Sequence, residues 1–512
     1  FEIMGKYNRA TVYAATVDSE AYAQVLRMCN REELRDSRIR MMPDMHAAEG
    51  CTVGTSMTVG DRVNPAYVGG DIGCGMQVYR LDAPSVDLPR LDEAIRGCVP
   101  SGAAIFPSPN GAAHRVPLEK LRCYESISHQ LVSRSFGTLG GGNHFIELEQ
   151  GLDGALYLVI HSGSRRLGRD VALYHQAAAF FAALGMDEGE VRRKRLKPAD
   201  IKTTLRPEDC FLSGYLLENY LHDMDIAVAY ASESRRRMGE VILERLGITA
   251  ADSFATIHNY VDTQAGILRK GAVSAQKGER LLIPVNMKDG SLLCMGRGNP
   301  EWNFTAPHGS GRVMKRSEAK EALSMEDYRR EMEGIFSTSV SESTLDESPM
   351  AYRRMAEIET AIAPTAEVKD ILTPLYNFKA SSTAAIDEEI HAIISEAYDR
   401  AKSILISNMG KLHFISEYLR SHEDMDGDQF KAVMETEDVT IEMIEAIAAE
   451  KEKAAPRFER RIRALHSIPA RKRILERVLQ AHLETVTTPL KGRKVWLDPG
   501  PFDLAHSLMQ TT

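Results

Sequence analysis

The segment Val68-Gly69-Gly70-Asp71-Ile72-Gly73-Cys74-Gly75-Met76 constrains this chain more than any other. Glycine fills four of the seven positions from Gly69 to Gly75. Backbone of that kind takes turns closed to other residues, which lets Asp71 and Cys74 converge on one point. A carboxylate and a thiolate are both metal-ligand types. Without a metal, the same string reads as a tight turn around a buried, inert cysteine.

Three histidines share a related setting. His144 follows Gly140-Gly141-Gly142-Asn143, His161 follows the apolar run Leu156 to Ile160, and His258 follows Ala255-Thr256-Ile257. Strand ends that face a common cleft hold ligands well, because the scaffold fixes them. With Asp71 and Cys74, the three predict one metal site with Cys74 close to the histidines. Mixed Cys, His and Asp ligation suits zinc, manganese or iron alike. A fourth histidine lies in Pro307-His308-Gly309-Ser310-Gly311-Arg312. The glycines let phosphates approach the backbone, and Arg312 has the planar fork that grips one. A neutral imidazole so placed can act as a nucleophile toward a phosphoryl group.

Composition bounds the rest. A chain of 512 residues has room for about three average domains, or one large domain with appendages. No run of about 18 apolar residues occurs, so no spanning helix is predicted. With 63 Lys+Arg against 72 Asp+Glu, a protein coated in nucleic acid is excluded, while a local basic groove is not. Seven scattered cysteines imply reduced thiols and a cytoplasmic setting. No secretory pattern opens the chain, and its start at Phe1 leads us to expect residues before it.

Two stretches differ in character. Up to about residue 380, Gly-rich turns and β-like runs (Gln77–Tyr79, Phe145–Leu148, Tyr157–Ile160) alternate with a few helices. The clearest helix carries Leu217, Tyr220, Met224, Ala227 and Ala231 on one stripe, with Arg235, Arg236 and Arg237 at its expected C-terminal end. The basic run Arg192–Arg195 reads as a solvated face. From Ile386 onward the pattern is helical. A stripe from Ile386 to Leu405 is expected to end at Asn408-Met409-Gly410, with a helix from Lys411, a turn at Asp426-Gly427 and amphipathic helices over 440–485.

Taken in order, several strings resemble the RtcB-type RNA ligases over about residues 1–380. They are Asp44-x-His46, Val68 through Met76, Gly137-Thr138-Leu139-Gly140, Asn143-His144-Phe145-x-Glu147, His161-Ser162-Gly163-Ser164-Arg165, His258-Asn259, Arg269-Lys270-Gly271-Ala272 and His308-Gly309-Ser310-Gly311-Arg312. The resemblance implies an α+β catalytic domain that uses GTP and manganese. Its reaction would join an RNA 3′-phosphate or 2′,3′-cyclic phosphate to a 5′-hydroxyl, in tRNA splicing or RNA repair. It further implies Asp71, Cys74, His144, His161 and His258 as ligands of two Mn2+ ions, with Cys74 bridging. His308 would take GMP as a phosphohistidine, and Asn143, Glu147, Arg165, Tyr352 and Lys379 would contact the guanylate or phosphate. RNA is the implied partner, with an archease-type activator and no membrane.

Three features depart from the family pattern. Pro284-Val285-Asn286-Met287 replaces a Gly-Ser-Met-Gly string, and one glycine is lost from Asp44 to Gly50. The family chain stops just after the lysine matching Lys379, whereas this one runs on through Ala380 to Thr512. Residues 382–435 resemble the C-terminal helices of FtsH-type AAA metalloproteases, through Ala385-Ile386-Asp387-Glu388-Glu389-Ile390 and Glu396 to Ala401. No His-Glu-x-x-His and no Gly-x-x-x-x-Gly-Lys accompany them. The expected organisation is therefore a catalytic domain over 1–380, a helical segment over 381–435 and an unassigned helical region over 436–512. Two rivals to the ligase are a metal-dependent cyclic phosphodiesterase that opens ends without sealing, and a non-catalytic RNA-binding fusion protein.

Overall fold

Leu156-Tyr157-Leu158-Val159-Ile160 is apolar at every position, as a strand covered on both faces requires. In the computed structural model it forms the strand Leu156–Ser162, buried along its whole length. The structure describes residues 1–380, apart from 187, 188, 190, 192, 193, 195, 207 and 208, and residues 407–454, apart from 437 and 438.

The buried strand belongs to a seven-stranded sheet. Its order is Ala250–Ile257, Gly75–Leu81, Leu156–Ser162, Phe145–Gln150, Ala366–Lys379, Gly290–Gly296 and Arg280–Asn286, with every neighbouring pair antiparallel. Side chains alternate between its faces. Leu158 and Ile160 meet Ile146 and Leu148, and on the helices Leu88–Cys98 and Gly214–Leu246 they meet Leu91, Ile95, Met238 and Ile242. Tyr157 and Val159 join Met76, Val78, Phe145, Leu282 and Leu372 on the other face. The outermost strands meet through an Arg280–Asp252 ion pair, so the sheet curls around this second cluster. A six-stranded sheet runs Glu2–Met4, Arg9–Val12, Ile39–His46, Val53–Thr58, Ile267–Lys270 and Asn259–Asp262. The architecture is α+β, as expected.

The helix on the apolar stripe runs from Gly214 to Leu246 and ends at Gly247 in the left-handed conformation. Arg235 therefore lies inside it and not at its end. It is fully buried, and its Nη1 donates to the carbonyls of Gly73 (2.8 Å) and Ser162 (2.6 Å). The sequence stripe appeared to stop because a charged residue occupies the core-facing position. Arg236 and Arg237 pair with Glu233 and Glu240 along the helix instead.

The chain divides into two compact units, Phe1–Ile386 and Asp387–Thr512. In the second, the described helices are Met409–His422, Gly427–Glu435 and Ile441–Ala454, with Tyr418, Val433 and Ile444 at their core. Asp426 caps the middle helix, at the expected turn. Ser407 is helical, Asn408 is a turn and the next helix starts at Met409, so the expected break falls at Asn408, with Gly410 inside the helix that follows. The stripe from Ile386 to Leu405, most of the Arg192–Arg195 run and the helical pattern beyond residue 454 lie outside the described residues. None of the described helices is long and apolar enough to cross a membrane.

Candidate active site

Sheet register brings the predicted ligands to one edge. Ile257 pairs with Gly75, Gly75 with Ser162, and His161 with Phe145. Cys74, His144 and His258 each sit one residue outside a strand at that edge, beside His161. Cys74 Sγ lies 3.5 Å from His144 Nε2 and 3.3 Å from His161 Nε2. His161 Nε2 is 3.3 Å from His258 Nε2, and Asp71 Oδ2 is 3.3 Å from His144 Nε2. The expectation that Cys74 lies beside the histidines holds.

The outer ring nitrogens decide what faces inward. His144 Nδ1 donates to the Leu139 carbonyl (2.8 Å) and His161 Nδ1 to the Asn143 carbonyl (3.0 Å). That tautomer, assigned from these bonds, leaves both Nε2 lone pairs aimed at the Cys74 sulfur. Buried lone pairs at such separations repel, and a cation among them removes the repulsion. The donor set therefore fits a divalent metal of borderline softness. Burial pushes His161 and His258 well below the ordinary imidazole value and pushes the Cys74 thiol well above its own. Asp71 is 41% exposed at its side chain. Partial burial pushes its carboxyl up, but the hydrogen bond and charge of His144, Cys74 and Arg165 hold it below the usual carboxylate range. A side chain at Gly163 would put Cβ 1.8 Å from Asp71 Oδ1, so only glycine leaves the carboxylate its place.

His308 adjoins this cluster, its ring centroid 4.7 Å from that of His258. Its Nδ1 donates to Asp44 Oδ2 (2.8 Å), and the Gly309 amide donates to the same oxygen (3.3 Å). With Nδ1 engaged, Nε2 carries the lone pair. Asp44 is fully buried in the strand Ile39–His46, and its Oδ1 has no partner among the described residues. Asp44-x-His46 stood out in the sequence without a role. The signal was present: an acid among Met41, Met42, Pro43 and Met45 of a strand needs a partner.

A second cluster forms further along the same edge. Phe145 links the two, 5.2 Å from the His161 ring centroid and 5.9 Å from Lys379 Nζ. Lys379 pairs with the buried Glu347, which also accepts from the Tyr352 hydroxyl (2.6 Å) and pairs with Arg316. Burial pushes Glu347 up, yet Lys379, Arg316 and Arg312 hold it at about 2. Glu147 accepts from Asn377, and burial raises its carboxyl to about 7 against the opposing charge of Lys379. Arg312 does not present its fork to a ligand as expected. Its guanidinium is committed to the Met314 and Asp346 carbonyls and to Tyr352. Arg165 sits at φ 54°, unusual for a non-glycine residue, and its buried Nε has no partner among the described residues. Asn143 contributes its carbonyl to His161, while its side chain faces solvent. Glu347 escaped the sequence reading, since nothing local marks Asp346-Glu347 as buried.

A family model described as tRNA-splicing ligase RtcB matches residues 28–125 and 114–380. The chain belongs to the RtcB family. Escherichia coli RNA-splicing ligase RtcB (K12) is 30% identical over 374 residues, covering 66% of this chain and 88% of the relative. RtcB2 of E. coli ATCC 25922 is 26% identical, covering 72% and 98%, and the Mycobacterium tuberculosis RtcB is 27% identical, covering 62% and 90%. The RtcB match ends at residue 380, within two residues of Lys379. The departure at Pro284–Met287 lies against the His308 loop, where Ser310 Oγ donates to the Val285 carbonyl (2.7 Å).

Proposed function

We propose that this RtcB protein is a GTP- and manganese-dependent RNA ligase. It would join a 3′-phosphate or 2′,3′-cyclic phosphate to a 5′-hydroxyl in tRNA splicing or RNA repair, in the cytoplasm. The observation that carries the reading is His308, fixed by buried Asp44 and packed against His258 of the Cys/His/Asp cluster. The names of the relatives, RNA- and tRNA-splicing ligases, support it.

Asp71, Cys74, His144, His161 and His258 would hold manganese, which when bound neutralises phosphate charge and polarises phosphoryl oxygens. His308 Nε2 attacks the α-phosphorus of GTP; a P–N bond forms as the P–O bond to pyrophosphate breaks. Asp44 keeps the proton on Nδ1 and stabilises the positive charge that develops on the ring. A 2′,3′-cyclic end is first opened by water to the 3′-phosphate; that phosphate takes GMP as the P–N bond to His308 breaks, and the 5′-hydroxyl, losing its proton, displaces GMP to seal the strand. Arg165, with its unpartnered Nε, suits a phosphate contact; Asn143, Glu147, Tyr352 and Lys379 suit guanine and ribose. An archease-type activator remains part of the proposal.

The test is an RNA pair bearing a 2′,3′-cyclic phosphate and a 5′-hydroxyl, incubated with protein, GTP and Mn2+. Joined product is expected. Opening of the cyclic end without joining would replace the ligase by the phosphodiesterase reading, and no reaction would favour the non-catalytic one.

Guanine donates two N–H groups that an ionised Glu147 accepts, and a raised carboxyl ionises only as pH passes its own value. GTP affinity should therefore rise between pH 6 and pH 8, with a midpoint near 7. Glu147→Gln should flatten that rise, and an unchanged profile would remove Glu147 from guanine recognition.

We assign catalysis to residues 1–380, with 381–435 and 436–512 as a separate helical appendage. Residues 1–380 made alone should fold and ligate at least as well as the whole chain. Circular dichroism and the joining assay check this; an unfolded truncation would show that the appendage completes the catalytic core.

A further inference from the structure

A second group of metal-ligand side chains lies away from His308. Cys123, His175 and Asp223 are 1%, 1% and 0% exposed, and their ligand atoms all lie within 4.8 Å of one another. They come from three separate segments: an irregular stretch, the helix Arg165–Ala183 and the helix Gly214–Leu246. We propose that Cys123, His175 and Asp223 form a structural site for a divalent metal of the zinc class, distinct from the cluster around Cys74.

Three observations carry this. The donor set is thiol, imidazole and carboxylate, the mixture that zinc prefers. Zn2+ with one thiolate, one carboxylate and one neutral imidazole sums to zero charge, so the filled site suits a buried position. The carboxylate is also already oriented from outside, because Asp223 accepts from the Arg122 amide (2.7 Å) and the Cys123 amide (3.1 Å). Without metal, His175 Nε2 sits 2.9 Å from Asp223 Oδ2. Tetrahedral donors with bonds of about 2.0–2.3 Å lie roughly 3.3–3.8 Å apart, a change of under 1 Å for this pair. On binding, the Cys123 thiol proton leaves to solvent as the S–Zn bond forms, His175 gives up the Nε2 proton it donates to Asp223 and keeps one on Nδ1, so that the Nε2 lone pair meets the metal, and no electron is transferred.

The position explains what such a tie would do. Between the helices Leu88–Cys98 and His129–Ser135 the chain holds only the short turns Gly111–Arg115, Leu118–Lys120 and Tyr124–Ser126. Irregular connections longer than about 12–15 residues are uncommon and need other anchoring. Cys123 would fasten this stretch to the two helices that carry Arg165 and Arg235. Tyr220, one turn before Asp223 and packed edge-on against His175, has a buried hydroxyl with no hydrogen-bond partner among the described residues.

Zinc added to chelator-treated full-length protein, dialysed and counted by mass spectrometry, tests the site. In a Cys74→Ala/His161→Ala/His258→Ala background, which leaves the first cluster too few donors to hold zinc, one tightly held zinc per chain is expected, and Cys123→Ser added to it should remove that zinc with the circular dichroism spectrum retained. X-ray absorption of the same background protein needs no change at Cys123, and should show one sulfur at about 2.3 Å among nitrogen and oxygen neighbours. Absence of tight zinc, zinc that survives Cys123→Ser, or a zinc shell without sulfur would each overturn the proposal. In that case the three side chains form a metal-free hydrogen-bonded core.

Discussion

Cys74→Ala is expected to lower manganese affinity by more than about 100-fold and to abolish GTP-dependent labelling and RNA joining together. The scale follows from comparison: loss of an outer partner of a metal ligand costs about 10–100-fold, and a ligand costs more. Cys74 approaches two histidines at 3.3 and 3.5 Å, and its thiolate would supply negative charge that three neutral imidazoles cannot replace. Far-UV circular dichroism should stay unchanged, because the strands that carry the site are held by their own cores. Manganese titration followed by the joining assay reads both effects. Unchanged metal affinity would mean that the cluster is not the metal centre.

Glu347→Ala should destabilise the protein by about 3–5 kcal/mol, the usual cost of stranding a buried charge by removing its partner. Lys379 loses its counter-ion, Arg316 keeps only Asp346, and the Tyr352 hydroxyl loses its acceptor. Glu347→Gln should cost less, since an amide still accepts from Tyr352. The linkage has a definite sign. The folded carboxyl is held at about 2, below its ordinary 4.5. Its stabilisation is complete above pH 4.5 and is lost as pH falls toward 2. Urea melts at pH 7 and pH 3 measure both points. A loss under about 1 kcal/mol at pH 7 would show that the cluster is not a single charged unit.

Much of the Cys/His/Asp cluster was legible because its residues sit where sequence patterns change. His161 follows a run of apolar residues, and Cys74 and His144 follow glycines just before strands, so pattern located each ligand without knowledge of the others. That they meet depends on strand order, which periodicity does not carry. Asp44 and Arg235 were obscured for the opposite reason: each is a charged residue inside an apolar pattern, satisfied only by groups far along the chain. Arg235 ended the helix in the sequence pattern, although in the fold it holds the carbonyls of Gly73 and Ser162 beside Cys74 and His161. Glu347 lies in a stretch of short turns, where neither a helical nor a strand period exists to mark its burial. Arg312 shows the reverse error. Its position beside a Gly-rich histidine suggested a free phosphate fork, but three groups of the fold already use it.

GMP carried on His308 is detected directly by labelling. The full chain is incubated with Mn2+ and α-labelled GTP, and the adduct is tested for acid lability and alkali stability, then mapped by peptide mass. An acid-labile adduct on His308 is expected, lost in His308→Ala, while that variant keeps near-normal manganese. Label on another residue, or loss of manganese from His308→Ala, would contradict it and make His308 a metal ligand or a bystander.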